Sequence, residues 1–293
     1  MSQESQSLFG KKQKAHDNYA GRRVVMRVEV LVSTMNQTDH SLIEKMRIST
    51  DAVVVNQCQE DSVTEFDYNG SRIKWINSTT RGLSISRNIC LSEARGEICL
   101  IADDDLEYVE GYEDIVRKAF ENNKEASIIR FKVCGIEKTF KNYPKKAEKV
   151  GLLKLMKISS VEVAMLRDKV AGLKFDEYIG ARKKFCMGEE NAFLVHCLKK
   201  GLKLYFLPQI ISNLHITNSS WKDISAERYF ISRGAAFEAM DLKIVHLLIL
   251  QFAIRKRNMF DRSLTIRKRI QLMEVGRKEY ITERGKQNGR FYF

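Results

Sequence analysis

The sequence has little proline, no pair of cysteines in C-x-x-C spacing and no long hydrophobic run. No window approaches the roughly 20 apolar residues that a membrane-spanning helix needs, and the polar segment Met1–Gly21 lacks the apolar core of a signal peptide. We therefore expect a cytoplasmic protein.

Six scattered cysteines argue against a zinc or redox site and indicate a reducing compartment. Only two prolines among 293 residues argue against a disordered chain.

Acidic residues are fewer than basic ones, and the excess of positive charge is concentrated in the C-terminal region. The formal net charge is +13, and from Asp241 to the C-terminus 13 Lys or Arg stand against 5 Asp or Glu, a net of +8. This charge favours polyanions such as nucleic acid, anionic lipid or phosphorylated substrates. A nucleic-acid-binding protein is one alternative, but aromatic residues are not interleaved with the basic ones and no known binding motif is present.

The order of hydrophobic patterns predicts three regions. These are a flexible basic arm over residues 1–22, an α/β domain over 23–222 and a helical basic extension over 223–293. Within the α/β domain, apolar strands alternate with helical segments, which indicates parallel strands. The first of these strands are Val24–Thr34, Asp51–Asn56 and Ser71–Asn77, followed by a helix from Leu83 that we expect Gly96 to cap.

The most informative stretch is the apolar strand Ile98–Ala102, which ends in Asp103, Asp104 and Asp105. Three adjacent anions repel one another, and a bound Mg²⁺ or Mn²⁺, which prefers oxygen ligands, would relieve the repulsion. In an extended chain Asp103 and Asp105 point to the same side and Asp104 to the other. A solvated acidic turn, or a helix N-terminus that favours anions, is the alternative interpretation.

Polar residues also follow the first two predicted strands. Ser33 and Thr34 end the first strand, and Asn56 and Gln57 end the second. Ligands of open α/β sheets bind beyond the carboxyl ends of the strands. We therefore expect these residues to share a cleft with the acidic strand end.

Four motifs in this order resemble the family 2 glycosyltransferases, which have the nucleotide-sugar-binding GT-A fold. The similarity extends from about Val24 to Trp221. Its motifs are Ser33-Thr34-Met35-Asn36, Arg81-Gly-Leu-Ser-Ile-Ser-Arg-Asn88, Ala94-Arg-Gly-Glu-Ile-Cys-Leu-Ile-Ala-Asp-Asp-Asp105, and Phe175-Asp176 followed by Gly188-Glu189-Glu190-Asn191. The resemblance implies an α/β fold of GT-A (Rossmann-like) type. Its mixed, mainly parallel sheet is flanked by helices and followed by a helical C-terminal extension.

The resemblance also implies roles for single residues. Glu190 is the expected general base, and Glu189 is a second catalytic candidate that contacts the acceptor. The alternative is that both are first-turn glutamates favoured by the helix dipole. The expected ligands of Mn²⁺ or Mg²⁺ are Asp103, Asp105 and His215, although a lone histidine after a strand is often structural. The expected contacts to the nucleotide sugar are Ser33, Thr34, Asn56, Gln57, Arg81, Arg87, Asp103 and Asp104.

The activity implied is that of a metal-dependent, inverting glycosyltransferase in capsular, exopolysaccharide or other surface glycan assembly. Its donor is a nucleotide-diphosphate sugar, with a UDP-sugar favoured, and its acceptor is a hydroxyl of a glycan or lipid-linked molecule. Two departures concern the site: Asn56-Gln57-Cys58-Gln59 replaces the family's frequent Asp-Asp-Gly-Ser, and Glu190 replaces an Asp. A sugar nucleotidyltransferase is the rival enzyme, but the Gly-rich loop usual in that class is missing after the first strand.

The C-terminal region contains one strongly apolar segment, Ile244–Ile254, followed by Arg255-Lys256-Arg257. Such a segment can lie on a membrane surface with its basic residues toward anionic headgroups. We therefore expect peripheral contact with the inner face of the cell membrane. A core helix, or a helix at an oligomer interface, is the alternative.

Overall fold

The computed structural model describes residues 25–216, 224–260 and 264–287. The predicted arm over residues 1–22 and the predicted domain boundary at residue 222 lie outside this part of the chain. The strands are β1 (Val28–Met35), β2 (Asp51–Gln57), β3 (Ser62–Tyr68), β4 (Ser71–Ser78), β5 (Ile98–Asp103), β6 (Leu106–Tyr108), β7 (Ile128–Gly135), β8 (Glu148–Lys149), β9 (Val163–Leu166) and β10 (Leu204–Leu214). The helices are α1 (Leu42–Lys45), α2 (Leu83–Glu93), α3 (Tyr112–Asn122), α4 (Leu152–Leu155), α5 (Glu189–Lys199), α6 (Ala226–Ala239), α7 (Val245–Arg255) and α8 (Ile266–Gln287), with a 3₁₀ turn at Ser160–Glu162.

The strands form one mixed, mainly parallel sheet, in the order β3-β4-β2-β1-β5-β9-β7-β10-β6, with β8 paired to β10. Strands β4, β2, β1 and β5 run parallel, whereas β9 is antiparallel to both of its neighbours. Strands that are covered on both faces have nearly continuous apolar sequences, as β1 and β5 do. The predicted fold class is confirmed.

Side chains of the central strands alternate between two hydrophobic cores. In β1, Leu31 belongs to the core that also contains residues of α2, α5 and α6, whereas Val30 and Val32 belong to the core with α1 and α3. This alternation follows from the two-residue period of a strand. The sheet is therefore held rigidly from both sides, which keeps its carboxyl edge in a defined position.

One predicted cap is wrong. Helix α2 ends at Glu93, and Ala94 leaves it in an extended conformation. Gly96 lies instead against Glu29, whose carboxylate accepts its N–H at 2.7 Å. A Cβ at Gly96 would come within 2.6 Å of the Glu29 Cβ. Glycine is therefore needed here for a close approach to β1.

The C-terminal helices pack on the α/β domain. A Cβ on Gly188, the N-cap of α5, would lie 2.5 Å from the Cβ of Ala236 in α6. The Tyr280 hydroxyl in α8 donates to Asp176 at 2.5 Å. Helix α6 thus packs on the start of α5, and α8 contacts the loop that precedes it.

We predict that Gly276→Ala destabilises the protein, because the backbones of α6 and α8 touch at this point. A Cβ on Gly276 would lie 1.9 Å from the Ile231 carbonyl oxygen. Overpacking of this kind costs about 1–3 kcal/mol, and the helix preference of Ala over Gly offsets only part of that cost. Thermal unfolding measures the effect, with the exposed neighbour Val275→Ala as control. Equal midpoints for the two variants would contradict the prediction.

Candidate active site

The polar ends of three parallel strands meet at the carboxyl edge of the sheet. Ser33 of β1 pairs in register with Asp103 of β5, and Thr34 of β1 pairs with Asn56 of β2. Asp103 is half-buried, and Asp104 and Asp105 are exposed in the turn that follows. The structure therefore brings together the strand ends that the sequence predicted to share a cleft.

The acidic turn concentrates negative charge. The surrounding protein, and then repulsion by Asp103 and Asp104, raises the pKa of Asp105 to about 7. The pKa of Asp104 is also raised, first because the protein around its carboxyl group excludes part of the solvent, although a hydrogen bond from Thr34 opposes the rise. A cation beside Asp105 would lower this electrostatic cost.

Arg87 is the central residue of the site. Its side chain is 1% exposed, and its Nη2 donates to Asp103 at 2.9 Å while its Nη1 donates to Glu189 at 3.0 Å. Nη2 also donates to the Ser160 hydroxyl at 2.7 Å. Burial alone would lower the pKa of Arg87, but attraction to Asp103 and Glu189 raises it above its usual value. One buried guanidinium thus joins β5 to the N-terminus of α5.

The two glutamates of α5 have different environments. Glu189 is buried against Arg87, and its pKa is raised by burial and by repulsion from Glu190, while Arg87 opposes the rise. Glu190 is half-buried and makes no hydrogen bond or ion pair with a described residue. Adjacent residues of a helix point about 100° apart. Glu190 is accordingly the carboxylate left available to a ligand.

The predicted nucleotide contacts on β1 and β2 form a network with the loop that follows β1. The Thr34 hydroxyl donates to Asp104 at 2.5 Å and accepts from the Gln37 side chain at 2.9 Å. The Asn56 amide exchanges hydrogen bonds with the Gln37 backbone, each 3.0 Å long. Gln57 holds the backbone of Gly82 in the same way, with its Nε2 donating to the carbonyl at 3.0 Å. These amides order the loop and the start of α2.

Ser33 and Arg81 also bind protein atoms. Ser33 accepts from the Ser86 hydroxyl at 2.8 Å and is buried. Arg81 donates to the Cys58 carbonyl at 2.5 Å and to the carbonyls of Ser78 and Thr80 at 3.1 Å. Arg81 therefore holds the segment after β2 in place. Its guanidinium can contact a ligand only if some of these hydrogen bonds open.

A cavity of about 520 Å³ lies beside this network. The His40 ring, on its wall, stacks on Phe66 with a centroid distance of 4.5 Å. The other wall residues are Asn36, Gln37, Thr38, Asp39, Cys58, Gln59, Glu60, Trp75 and Asn77. Aromatic rings next to amide groups suit a flat, polar ligand such as a nucleobase.

His215 has a different neighbourhood from the one expected of a metal ligand. Its Nε2 lies 2.7 Å from Glu107 and its Nδ1 lies 3.0 Å from Glu137. These hydrogen bonds raise the pKa of His215, first through Glu107 and then through Glu137, and a protonated ring cannot bind a cation. Its backbone N–H donates to the Asp105 carbonyl at 2.9 Å. The predicted metal role requires one ring nitrogen to leave its glutamate, while the other can keep its hydrogen bond.

The donor set fits a Mg²⁺ or Mn²⁺ ion that arrives with a phosphate-bearing substrate. Over the described residues, no group of three or more His, Cys, Asp and Glu is arranged to hold a metal. Asp103 and Asp105 offer two carboxylates, one of which Arg87 already contacts. Such hard ions are commonly bound through one or two carboxylates together with substrate phosphates. Asp103 and Asp105 would hold the ion.

Sequence reasoning missed a buried ionic cluster next to Ser160. Glu162 is fully buried and accepts from Arg130 at 3.1 and 3.2 Å, from Lys141 at 3.1 Å and from the Tyr143 hydroxyl at 2.5 Å. The Ser-x-x-Glu pattern from Ser159 to Glu162, a capping-box signature, was the available signal. The cluster fixes the turn whose Ser160 binds Arg87.

Comparison with known proteins supports the interpretation of these motifs. A search of curated proteins found no match. Among solved structures, S. aureus TarS 1-349 in complex with UDP-GlcNAc is similar with a TM-score of 0.58 and 17% identity, over 92% of this chain and 93% of that one. The same protein in complex with UDP has a TM-score of 0.56 and 16% identity, with the same coverage. At this identity the likeness shows the fold.

The sequence profile of glycosyl transferase family 2 matches residues 32–184, more than half of the chain. This segment contains the ends of β1, β2 and β5 and the whole of α2. The sugar nucleotidyltransferase and nucleic-acid-binding alternatives receive no such support. The chain belongs to glycosyl transferase family 2 and is a glycosyltransferase.

Proposed function

We propose that this glycosyltransferase moves a sugar from a nucleotide-diphosphate sugar to an acceptor hydroxyl, with inversion at the anomeric carbon. The observation that carries the proposal is the position of Arg87 between Asp103 and Glu189. This contact holds the end of β5 close to the first turn of α5, in which Glu190 follows Glu189. A charged donor and a general base can therefore act on the same bond.

The donor is held along the carboxyl edge of the sheet. We assign the nucleobase to the cavity beside Gln37 and His40, and the diphosphate to the side of Asp103 and Asp105. A UDP-sugar is favoured, since the similar TarS structures contain UDP-GlcNAc and UDP. Asn56 and Gln57 support this region by ordering the loop that carries Gln37 and the start of α2.

When bound, a divalent cation (Mn²⁺ or Mg²⁺) would offset the negative charge that develops on the leaving diphosphate. Asp103 and Asp105 would hold it, and their mutual repulsion favours such an ion. Arg87 keeps Asp103 oriented by binding one of its oxygens. In this proposal Asp103 is a ligand of the cation, and Arg87 orients Asp103.

Glu190 is the proposed general base. Its carboxylate is free of hydrogen bonds to the described residues, so it can accept the proton of the acceptor hydroxyl as that oxygen attacks. Glu189 is occupied by Arg87 and acts on the orientation of α5. If Glu190 is the base and none of the described carboxylates acts as a nucleophile, the acceptor displaces the diphosphate directly and the configuration is inverted, as the family resemblance implies.

The acceptor we propose is a glycan or lipid-linked hydroxyl in the assembly of a capsular, exocellular or other surface polysaccharide. No helix in the described ranges is long and apolar enough to cross a bilayer. We place the reaction at the inner face of the cell membrane, where a lipid-linked acceptor would be available.

A thermal-shift screen of nucleotide sugars with and without Mn²⁺ tests the donor and the metal together. A ligand present at 100 times its Kd stabilises the native state by about 2.7 kcal/mol. We expect the correct donor to raise the midpoint, and to do so more strongly with Mn²⁺ than with EDTA. Equal shifts in Mn²⁺ and EDTA would remove the metal from the proposal, and no shift with any nucleotide sugar would remove the donor.

We predict that Asp105→Asn weakens nucleotide binding in Mn²⁺ by at least about tenfold, because an amide is a poorer ligand for a hard cation than a carboxylate. Calorimetry of UDP binding measures the effect. The matched control is Asp168→Asn, an exposed aspartate outside the site, which should bind as the wild type does. A variant at position 105 with wild-type affinity in Mn²⁺ would show that Asp105 is not a ligand.

A further inference from the structure

Helix α7 has two apolar faces, and the residues that the structure describes cover one of them. Val245, Leu248, Ile249 and Phe252 are buried against the rest of the protein. The opposite face, which we call the outer stripe, consists of Ile244 (42% exposed), Leu247 (61%), Leu250 (45%) and Ile254 (45%). The core-helix interpretation thus accounts for half of this apolar segment, and within the described ranges nothing covers the other half.

The outer stripe is unlike the outer face of a helix exposed only to water. Spacings of three and four residues place its members on one side of α7. The exposed positions of α3, by contrast, are the polar residues Asp114, Lys118 and Asn122. A helix that is apolar on both sides is expected to be covered on both sides.

Positive charge collects at the end of this stripe. The Arg269 guanidinium of α8 donates to the Arg257 carbonyl at 2.8 Å, so the beginning of α8 lies beside the end of α7. We call the exposed side chains here the cationic end: Arg255, Arg257, Arg267 and Lys268. No acidic residue occurs between Leu242 and Arg257. The apolar stripe therefore borders on a cluster of cations from the end of α7, the residues just after it and the start of α8.

We propose that the outer stripe and the cationic end of α7 dock on an anionic lipid surface. Leucine and isoleucine side chains would enter the boundary between headgroups and acyl chains, and the cations would face the lipid phosphates. A second copy of the chain fits less well, because it would bring an equally cationic surface against the first. The docking deepens the proposed function by holding the enzyme next to a lipid-linked acceptor.

Vesicle co-sedimentation of the full chain, without donor or acceptor, tests the docking separately from the transfer reaction. The vesicles are phosphatidylcholine alone, or phosphatidylcholine with phosphatidylglycerol. We expect at least about tenfold tighter binding to the anionic vesicles, since each basic residue near the surface contributes about fivefold. Binding should weaken with added salt, which screens charges. Absent binding, or equal binding to both compositions, would overturn the proposal.

Three sets of substitutions separate the contribution of the outer stripe to vesicle binding from that of the cationic end. The stripe variant is Leu247→Ser, Leu250→Ser and Ile254→Ser; the cationic variant is Arg255→Gln, Arg257→Gln, Arg267→Gln and Lys268→Gln; the control is Val63→Ser and Leu153→Ser, exposed apolar side chains elsewhere. The stripe variant should lose at least about tenfold in vesicle binding, the cationic variant should lose its preference for anionic vesicles, and the control should match the wild type.

Fold and oligomeric state are measured on the same samples. The shift of the thermal midpoint with nucleotide sugar should be the same in the stripe variant as in the wild type, because the stripe lies outside the donor site. The midpoint itself should fall by only a few degrees, because the stripe residues are half exposed and serine is a slightly poorer helix former than leucine. A stripe variant that binds vesicles as tightly as the wild type would overturn the proposal. So would a wild-type dimer that becomes a monomer in the stripe variant, because the stripe would then be an interface between copies.

Discussion

Replacement of Glu190 by Gln is expected to lower turnover by about 10²–10⁴-fold, the usual contribution of a positioned base, with donor affinity nearly unchanged. The amide keeps the size of the side chain and removes its basicity. Because Glu190 makes no hydrogen bond or ion pair with the described residues, the thermal midpoint should also stay the same. Initial rates with the true donor and acceptor, beside calorimetric donor affinity, measure both quantities.

Two further variants give this experiment its controls. Glu190→Asp keeps a carboxylate and matches the acid that the family usually has here, so it should be at least about tenfold faster than Glu190→Gln. Glu189→Gln should lose less turnover than Glu190→Gln, because Glu189 acts through Arg87. If Glu189→Gln is inactive while Glu190→Gln is nearly normal, the base is Glu189. If both variants are active, the two glutamates only stabilise the N-terminus of α5, and the base is another residue.

Arg87→Lys is expected to lower turnover by about 10²-fold, because a displacement of about 1 Å at a reacting group can cost that much. A lysine keeps the positive charge, but its single nitrogen cannot hold Asp103, Ser160 and Glu189 in their present arrangement. The donor and acceptor would then be presented to each other at the wrong distance. We expect donor affinity to fall less than turnover does, because Arg87 is buried and acts on the donor only through the orientation of Asp103, while Asp105 is left in place.

Arg72→Lys is the matched control for this variant. Arg72 pairs with the buried Glu29 at 2.8 Å, away from the site, so its substitution should lower the thermal midpoint without lowering turnover. Arg87→Met should destabilise the protein by about 3–5 kcal/mol, because it leaves two carboxylates without their buried partner. A large loss of donor affinity in Arg87→Lys at unchanged turnover would show that Arg87 contacts the diphosphate, as the family resemblance implied.

The sequence alone predicted the parallel strands β1, β2, β4 and β5 and the edge at which their carboxyl ends meet. Apolar runs that end in polar residues are recognisable locally, and parallel strands bring those ends to one edge whatever the loops do. Strand β3 escaped this reasoning because it is an edge strand with mostly exposed side chains and no apolar run. The Asn69-Gly70 pair, whose φ angles are 53° and 83°, was the local signal for its hairpin with β4.

Only the tertiary structure decided the partners of Arg87 and His215. Arg87 binds side chains 16, 73 and 102 residues away in the sequence, and His215 binds glutamates 108 and 78 residues away. Spacing within a motif describes one element, whereas these partners come from other strands and turns. In α7, likewise, the apolar segment was visible in the sequence, but which of its faces is covered depends on where the neighbouring helices pack.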